Sequence, residues 1–316
     1  MLKIINSIIL FLMFLSLSFH AFGVTNGNDA ALPDVRDAMY GTSPRQRLDV
    51  WKVKTPAPAP VCIFFHGGGF CGGDKSQVGA NLREACLNNG IAVVSVEYRL
   101  ASGKDGVPLP AALLDGALAV QYVRSRATDW GLNIDKFALY GESAGADIAL
   151  WVGMHSDFAD SKSTNPILRF STRVSCIIGN GAQATLDPRV FHTTSGLSAD
   201  EYRKFITPFI PVFGASSIED METPRVRKVI EDASVVNLVT PDVPPVYLSY
   251  GPNTPLPLPQ NAPAGNLLHH PFTGLLLKEK MDACGTHCEI YIRNDPKHAE
   301  QPTGQLTFLQ RYFAGK

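Results

Sequence analysis

Hydrophobic side chains in the middle of this chain occur in short uninterrupted runs, which alternate with stretches whose apolar residues recur at helical spacing. The run at residues 61–65 (VCIFF) follows Pro60 and precedes a glycine-rich loop, which is typical of a buried strand. Residues 111–126 and 144–154 have the helical spacing. Strands that alternate with helices predict βαβ units and a mostly parallel sheet, so the expected fold class is α/β.

This alternation extends over most of the chain and is interrupted once. Further predicted strands lie at residues 47–53, 91–96, 136–140, 173–178, 245–250 and 288–292, and further predicted helices at residues 76–89 and 272–283. Residues 188–233 break the alternation with helix-like pieces and short proline turns. We interpret this segment as a small cap inserted into a single α/β domain that spans residues 24–316.

The first 23 residues have a different pattern, which predicts a secretory signal peptide. Lys3 precedes an apolar run at residues 4–19, and the segment ends in Ala21-Phe22-Gly23, a small-x-small cleavage site. A membrane anchor is the alternative, but the run is shorter than the roughly 20 residues that a bilayer span needs. We therefore expect a secreted or periplasmic protein without a stable membrane span.

Charge and cysteine content narrow the possible functions. The 28 basic and 29 acidic residues give a formal charge of −1, which offers no basic excess for binding nucleic acid. None of the six cysteines forms a CxxC pair, and no spacing of His and Cys resembles a zinc site. Cys284 and Cys288 flank a turn and could form a disulfide in an oxidising compartment, although the sequence leaves the connectivity open.

The pentapeptide Gly141-Glu142-Ser143-Ala144-Gly145 has the pattern G-x-S-x-G and lies between a predicted strand and a predicted helix. A serine hydroxyl becomes a useful nucleophile when it is exposed and aimed at a base, and a sharp strand-to-helix turn provides both conditions. A turn of glycine and serine without chemistry is the alternative. The flanking strand and helix favour Ser143 as a nucleophile.

A second motif, His66-Gly67-Gly68-Gly69-Phe70, directly follows the predicted strand at residues 61–65. Consecutive glycines let backbone N–H groups approach an oxyanion without side-chain collision. We predict that the N–H groups of Gly68, Gly69 and Ala144 form an oxyanion hole and that His66 braces the loop. A phosphate cradle is the alternative, but no G-x-G-x-x-G or Walker lysine pattern accompanies the glycines.

With these two motifs, the chain resembles the α/β-hydrolase fold, in the branch of hormone-sensitive-lipase-like carboxylesterases and bacterial feruloyl-type esterases. The resemblance extends from about Tyr40 to the C-terminus and is strongest up to Leu150. It implies acyl-ester hydrolysis without a metal or organic cofactor. Further landmarks are Tyr40-Gly41, Leu48-Asp49-Val50, Glu97-Tyr98-Arg99-Leu100, Pro110 and Asp115.

The general base is expected late in the chain, because the triad of this fold follows the order Ser, acid, His. His298 follows the last predicted strand, where the resemblance places the base. His270 is the second candidate. His269 and His270 precede Pro271 at a predicted helix start, where they would form a helix cap or a pocket wall.

The acid of the triad is the point at which this chain departs from the family. The acid is expected after the strand at residues 245–250, but no Asp or Glu occurs between Val243 and Lys278. Asn253 lies near the expected position and could orient an imidazole ring without stabilising its charge. Asp187 is the alternative acid, although Asp187-Pro188 also fits a simple turn.

Three functions are consistent with these residues. The first is a secreted serine carboxylesterase that acts on a small-molecule or carbohydrate-linked ester. The second is a catalytically impaired binding protein that keeps the fold, which the missing acid suggests. The third is a lipase or a peptidase of the same fold.

Overall fold

Eight strands form one sheet at the centre of the structure, a computed structural model that describes residues 32–103, 106–251, 264–298 and 304–315. The predicted signal peptide and Asn253 lie outside these residues. The strands are β1 (Val35–Met39), β2 (Arg47–Trp51), β3 (Ala59–Phe65), β4 (Ala92–Val96), β5 (Leu132–Glu142), β6 (Cys176–Asn180), β7 (Val246–Tyr250) and β8 (Cys288–Ile292). Their order in the sheet is β1-β2-β4-β3-β5-β6-β7-β8.

The sheet is antiparallel at one edge and parallel elsewhere. Strand β2 pairs antiparallel with both β1 and β4, whereas every pairing from β4 through β8 is parallel. Phe65 of β3 is paired with Gly141 of β5, and Glu142 of β5 is paired with Asn180 of β6. This register places the loops that follow β3, β5 and β6 side by side at one edge of the sheet.

Helices cover both faces of the sheet. They are α1 (Ala80–Asn88), α2 (Ala111–Ser125), α3 (Ala127–Trp130), α4 (Ala144–Met154), α5 (Pro188–Ser195), α6 (Ala199–Ile206), α7 (Pro224–Ala233), α8 (Ala264–Leu268), α9 (Phe272–Ala283) and α10 (Gln305–Phe313). Successive strand residues point to opposite faces, so Phe65 belongs to the same buried cluster as Ile148 of α4, while Phe64 belongs to the cluster that contains Phe308 of α10. The apolar runs are continuous because both faces are buried.

The segment predicted as a cap follows β6 and contains α5, α6 and α7. It is attached to the rest of the molecule by backbone and side-chain hydrogen bonds. The N–H of Leu109 donates to the carbonyl of Val212 at 2.8 Å, and the indole N–H of Trp151 donates to the carbonyl of Asp232 at 2.8 Å. The division into a single domain with a cap stays a prediction.

The structure contains elements that the hydrophobic pattern did not reveal. Strand β1 has a register irregularity between Val35 and Ala38 and lacks a clean alternation. Helix α1 starts only at Ala80, because a short 3-10 helix (Lys75–Gln77) precedes it. Helix α10 was also not predicted. All six cysteines are described and are free thiols, so Cys284 and Cys288 are not bridged. Within the described ranges, no helix is both long and apolar enough to cross a bilayer.

Candidate active site

Ser143 occupies the sharp turn between β5 and α4. Its backbone has φ +50° and ψ −124°, a conformation that non-glycine residues rarely adopt and that is found at strained functional turns. The turn requires small neighbours: a Cβ atom on Gly141 would lie 2.1 Å from the carbonyl oxygen of Gly145, and one on Gly145 would lie 2.1 Å from that of Phe65. The N–H of Ser143 donates to the carbonyl of Asn180 at 2.8 Å, which fixes the turn to the neighbouring strand.

The side chain of Asn180 belongs to a polar network beneath this turn. Its amide group donates to the hydroxyl of Tyr140 at 2.5 Å and accepts from the amide of Gln305 at 2.7 Å. The hydroxyl of Ser249 also donates to Asn180, at 2.5 Å. Because its side chain has partners on β5, β7 and α10, Asn180 holds its backbone carbonyl in place for Ser143.

The histidine that lies beside Ser143 is His269. Its Nε2 atom is 2.9 Å from the Oγ atom of Ser143, which is a hydrogen-bond distance. His269 follows α8 in a turn, and its ring rests against the backbone of Gly181: a Cβ atom on Gly181 would lie 3.2 Å from Cδ2 of the ring. Burial lowers the pKa of His269, because desolvation penalises the imidazolium. The ring is therefore held as a neutral base.

The two histidines favoured from the sequence lie elsewhere. The Nδ1 atom of His298 faces the carboxylate of Asp295 at 3.4 Å, within its own turn after β8. The buried His270 accepts a hydrogen bond on Nδ1 from the N–H of Phe272 at 3.1 Å, as a residue at a helix start does. This corrects the expectation that His298, or else His270, lies beside Ser143. No local signal distinguishes His269 from His270, because the choice depends on the path of the turn after α8.

Asp187 likewise has another role. Its carboxylate caps α5 by accepting from the N–H of Arg189 at 3.0 Å. The same carboxylate forms ion pairs with Arg189 and Arg227, each at 2.8 Å. Both of its oxygens are engaged by guanidinium groups, which corrects the expectation that Asp187 orients the base. Among the residues that the structure describes, no carboxylate is hydrogen-bonded to His269.

The glycine-rich loop runs directly alongside Ser143. A Cβ atom on Gly67 would lie 3.4 Å from the Cβ atom of Ser143. Gly68 has φ +117° and Gly69 has φ +60°, values in which a side chain is strained. The carbonyl of Gly68 accepts from the N–H of Cys71 at 2.9 Å, so the loop closes in a tight turn.

The three N–H groups predicted to bind an oxyanion belong to this loop and to the residue that follows Ser143. Within the described ranges, the backbone N–H groups of Gly68 and Gly69 donate no hydrogen bond, and that of Ala144 donates none outside α4. Ala144 is the first residue of α4, where a backbone N–H has no acceptor within the helix. These groups can donate to a reacting oxygen.

His66 braces this loop from below, as the sequence suggests. Its ring stacks on Tyr98 with centroids 4.2 Å apart, and its Nδ1–H donates to the carbonyl of Gly67 at 2.8 Å. The Nε2 atom is 3.3 Å from the carboxylate of Glu97, which also pairs with Arg45. The buried ring thus ties the loop to the strand ends of β3 and β4.

Aromatic side chains of the cap form a wall over the loop. A Cβ atom on Gly69 would lie 3.6 Å from the ring of Phe209. The ring centroid of Phe209 lies 6.0 Å from that of Phe205, which lies 6.0 Å from that of Phe191. The ring centroid of Phe191 lies 5.3 Å from that of Phe272, at the start of α9. This phenylalanine wall extends from the glycine-rich loop to the segment that carries His269. No group of three or more His, Cys, Asp or Glu in the described ranges could hold a metal ion.

This chain is similar in sequence to known esterases. A sequence model of the BD-FAE family matches residues 48–260. Esterase LipC of Mycobacterium tuberculosis is 26% identical over 218 residues, which cover 68% of this chain and 50% of LipC. Esterase LipI of the same organism is 39% identical over 93 residues, which cover 29% of this chain and 28% of LipI. The matched parts thus span half or less of these relatives.

Solved structures confirm the predicted fold class. An acetyl ester-xyloside bifunctional hydrolase from Caldicellulosiruptor lactoaceticus superposes with a TM-score of 0.62 at 20% identity, covering 85% of this chain and 87% of that one. A truncated carbohydrate esterase from gut microbiota superposes with a TM-score of 0.66 at 15% identity, covering 89% and 96%. The mostly parallel sheet with flanking helices is an α/β-hydrolase fold.

Proposed function

Because this chain belongs to the BD-FAE family of α/β-hydrolases, we propose that it is a serine carboxylesterase that cleaves acyl esters through an acyl-enzyme. The observation that carries this proposal is the 2.9 Å contact between Ser143 Oγ and His269 Nε2 at a strained strand-to-helix turn. That contact supplies a nucleophile and a base in hydrogen-bond reach of each other.

The first half-reaction forms the acyl-enzyme. Ser143 Oγ attacks the ester carbonyl carbon while its proton passes to Nε2 of His269. The carbonyl oxygen becomes an oxyanion that accepts hydrogen bonds from the N–H groups of Gly68, Gly69 and Ala144. The C–O bond to the alcohol then breaks, and the imidazolium returns its proton to the leaving alkoxide.

The second half-reaction repeats these steps with water. His269 takes a proton from a water molecule, which attacks the acyl carbon, and the same N–H groups hold the second oxyanion. The bond to Ser143 Oγ breaks as Oγ recovers a proton from the imidazolium. The products are the carboxylic acid and the alcohol, and the enzyme returns to its starting state.

The lack of a described carboxylate at His269 bears on the choice of substrate. In a serine protease, loss of the proper partner of the catalytic histidine lowers kcat by about 10⁴. Burial lowers the pKa of His269 and thereby disfavours the imidazolium that the mechanism requires. We therefore propose ester substrates, whose leaving alkoxides need less proton assistance than amines do, and we disfavour a peptidase.

Substrate class and location are inferred from three features. The predicted signal peptide at residues 1–23 supports an extracellular or periplasmic site of action. Names of structural neighbours include acetyl ester and carbohydrate esterase activities. Phe209 lies over Gly69 and limits the space for an acyl chain there. Together they support a short acyl group, carried by a small alcohol or by a carbohydrate.

The proposal is tested with p-nitrophenyl acetate, acetylated oligosaccharides and a fluorophosphonate probe. We expect the wild-type protein to release acetate and to be labelled by the probe, and Ser143→Ala to lose both properties. A folded wild-type protein that is neither active nor labelled would overturn the proposal. That result would favour the alternative of a binding protein, which the absence of Asp and Glu between Val243 and Lys278 suggests. For secretion, the matched measurement is the N-terminal sequence of the exported protein, expected to start at Val24.

A further inference from the structure

We propose that Gln183 is a positioning residue that holds the His269 turn in register with Ser143. The side-chain amide of Gln183 donates to the carbonyl of Leu268 at 3.0 Å and to the carbonyl of Gly181 at 2.6 Å. Its consequence for catalysis rests on the proposed function, whereas its effect on the His269 ring does not.

The two carbonyl groups that Gln183 binds belong to residues that determine the position of the His269 ring, Leu268 and Gly181. Leu268 is the residue directly before His269, so its peptide plane sets the direction from which the side chain leaves the backbone. Gly181 forms the surface against which the ring rests, with φ +60° and a virtual Cβ only 3.2 Å from the ring. One side chain therefore fixes both the backbone before the histidine and the support beneath its ring.

Gln183 is itself anchored to the helix that carries the nucleophile. Its backbone N–H donates to Oδ1 of Asp147 at 2.7 Å, and the N–H of Asp147 donates to the carbonyl of Ser143 at 3.1 Å. Asp147 is 1% exposed, and burial raises the pKa of its carboxyl well above the ordinary value. Asp147 thus links α4 to Gln183, and Gln183 links Asp147 to the turn that carries His269.

The loop that contains Gln183 is also held from its other side. The N–H of Gly181 donates to the carbonyl of Ser249 at 2.8 Å. The hydroxyls of Tyr250 and Thr273 donate to the carbonyl of Ala182 at 3.0 and 3.1 Å. Since β7 and α9 fix this loop, Gln183 has a rigid base from which to hold Leu268.

Glutamine suits this position for a chemical reason. A primary amide carries two N–H donors on one nitrogen, which matches two carbonyl acceptors. A glutamate of the same shape would place an acceptor against both carbonyl oxygens. Gln183 is 7% exposed, so water cannot readily replace the lost hydrogen bonds.

The chain contains a matched control for the test. Gln121 is 2% exposed, and its amide also binds backbone carbonyls, those of Phe158, Leu168 and Phe170 at 3.2, 3.1 and 2.8 Å. It lies on α2 and ties down a loop that has no role in the proposed chemistry. Substitutions at Gln121 therefore measure the general cost of losing a buried amide that clamps a loop.

The first measurement is steady-state hydrolysis of p-nitrophenyl acetate by Gln183→Glu, with Gln183→Met as a second variant and Gln121→Glu as the control. Small displacements of a reacting group can cost about 10²-fold, so we expect both Gln183 variants to lower kcat by roughly 10- to 100-fold with KM within about twofold. We expect Gln121→Glu to keep kcat within about twofold of wild type, a change too small to indicate displacement of a reacting group. Folded Gln183 variants with wild-type kcat would overturn the proposal.

The second measurement does not depend on activity. NMR titration gives the pKa of the His269 imidazole in each variant. The titratable groups that contact the loop around Gln183 are Asp147 and Tyr250. We expect this pKa to rise toward the ordinary value of about 6.5 in Gln183→Met, because a released ring is better hydrated, and to stay unchanged in Gln121→Glu. An unshifted pKa of His269 in Gln183→Met would refute the proposal that Gln183 holds the His269 turn. If the wild-type protein has no esterase activity but this pKa shifts as expected, the proposed function fails, whereas the role of Gln183 in holding the His269 turn is supported.

Discussion

Ser143 Oγ and His269 Nε2 lie 2.9 Å apart although the two residues are separated by 126 positions in the chain. The contact joins the turn after β5 to the turn after α8. It is formed by a residue that precedes α9, whereas the resemblance to esterases led us to expect a residue that follows β8. Ser143, the proposed nucleophile, thus lies at the turn that the motif predicts, whereas the histidine beside it is not the one that the resemblance predicts.

Separate substitution of His269 and His298 by alanine tests which of the two acts as the base. We expect His269→Ala to lower kcat for p-nitrophenyl acetate by about 10³-fold or more, because loss of a base that acts with the serine removes most of the chemical advantage. His298→Ala should retain kcat within about threefold, a loss well below what removal of a general base causes. The opposite pattern, with His298→Ala inactive and His269→Ala active, would contradict the assignment.

The dependence of the rate on pH should report the buried base. Burial lowers the pKa of His269, so the ring is neutral and able to accept a proton at a lower pH than an exposed histidine. We therefore expect kcat/KM to rise with pH through an apparent pKa below about 6.5 and to level off above it. A midpoint at or above that value in a pH–rate profile would argue against His269 as the group that titrates.

Substitution of Gly68 should damage the oxyanion loop. A Cβ atom there would lie 2.2 Å from the carbonyl oxygen of Gly72, and φ is +117°. We expect Gly68→Ala to lower kcat by about 10²- to 10³-fold, the range seen when one oxyanion donor is lost. Gly90→Ala is the control, because φ there is +72° while nothing lies within 4 Å of the added carbon. It should cost about 1–2 kcal/mol of stability and leave kcat unchanged, which thermal unfolding and kinetics can check together.

Shortening of Phe209 should change the preference for acyl chains. Phe209 lies over Gly69, so Phe209→Ala opens space beside the proposed oxyanion hole. We expect the ratio of kcat/KM for p-nitrophenyl octanoate to that for the acetate to rise about tenfold, equivalent to roughly two buried methylenes. Phe158→Ala serves as the control, since Phe158 packs on Trp151 and His155 at the far end of α4. An unchanged ratio in Phe209→Ala would place the acyl chain elsewhere.

The hydrophobic pattern predicted the strands of the parallel sheet but missed elements at both ends of the described chain. Strands β3 and β4 are recognisable because they are buried on both faces, which produces uninterrupted apolar runs. Strand β1 lies at the sheet edge, where half-exposed residues and an irregular register leave no such signal. Helix α10 does carry a helical pattern, with Phe308, Leu309 and Phe313 buried on one side, and it was overlooked rather than hidden.

The sequence by itself determined the sharp turn at Ser143, the proposed nucleophile, because the constraints on that turn are local. A strand, a helix and two glycines without room for a Cβ atom are all encoded within a few neighbouring residues. Which histidine lies beside Ser143 and which groups contact Asp187 were decided only by the tertiary structure. Which of the eight histidines reaches Ser143 depends on the contacts of the turn after α8, whose Leu268 carbonyl binds Gln183 and whose His269 ring packs on Gly181. Arg227, 40 positions away in the chain, takes the carboxylate that the sequence offered as the triad acid. Contacts between such distant segments are set by packing, which no local pattern records.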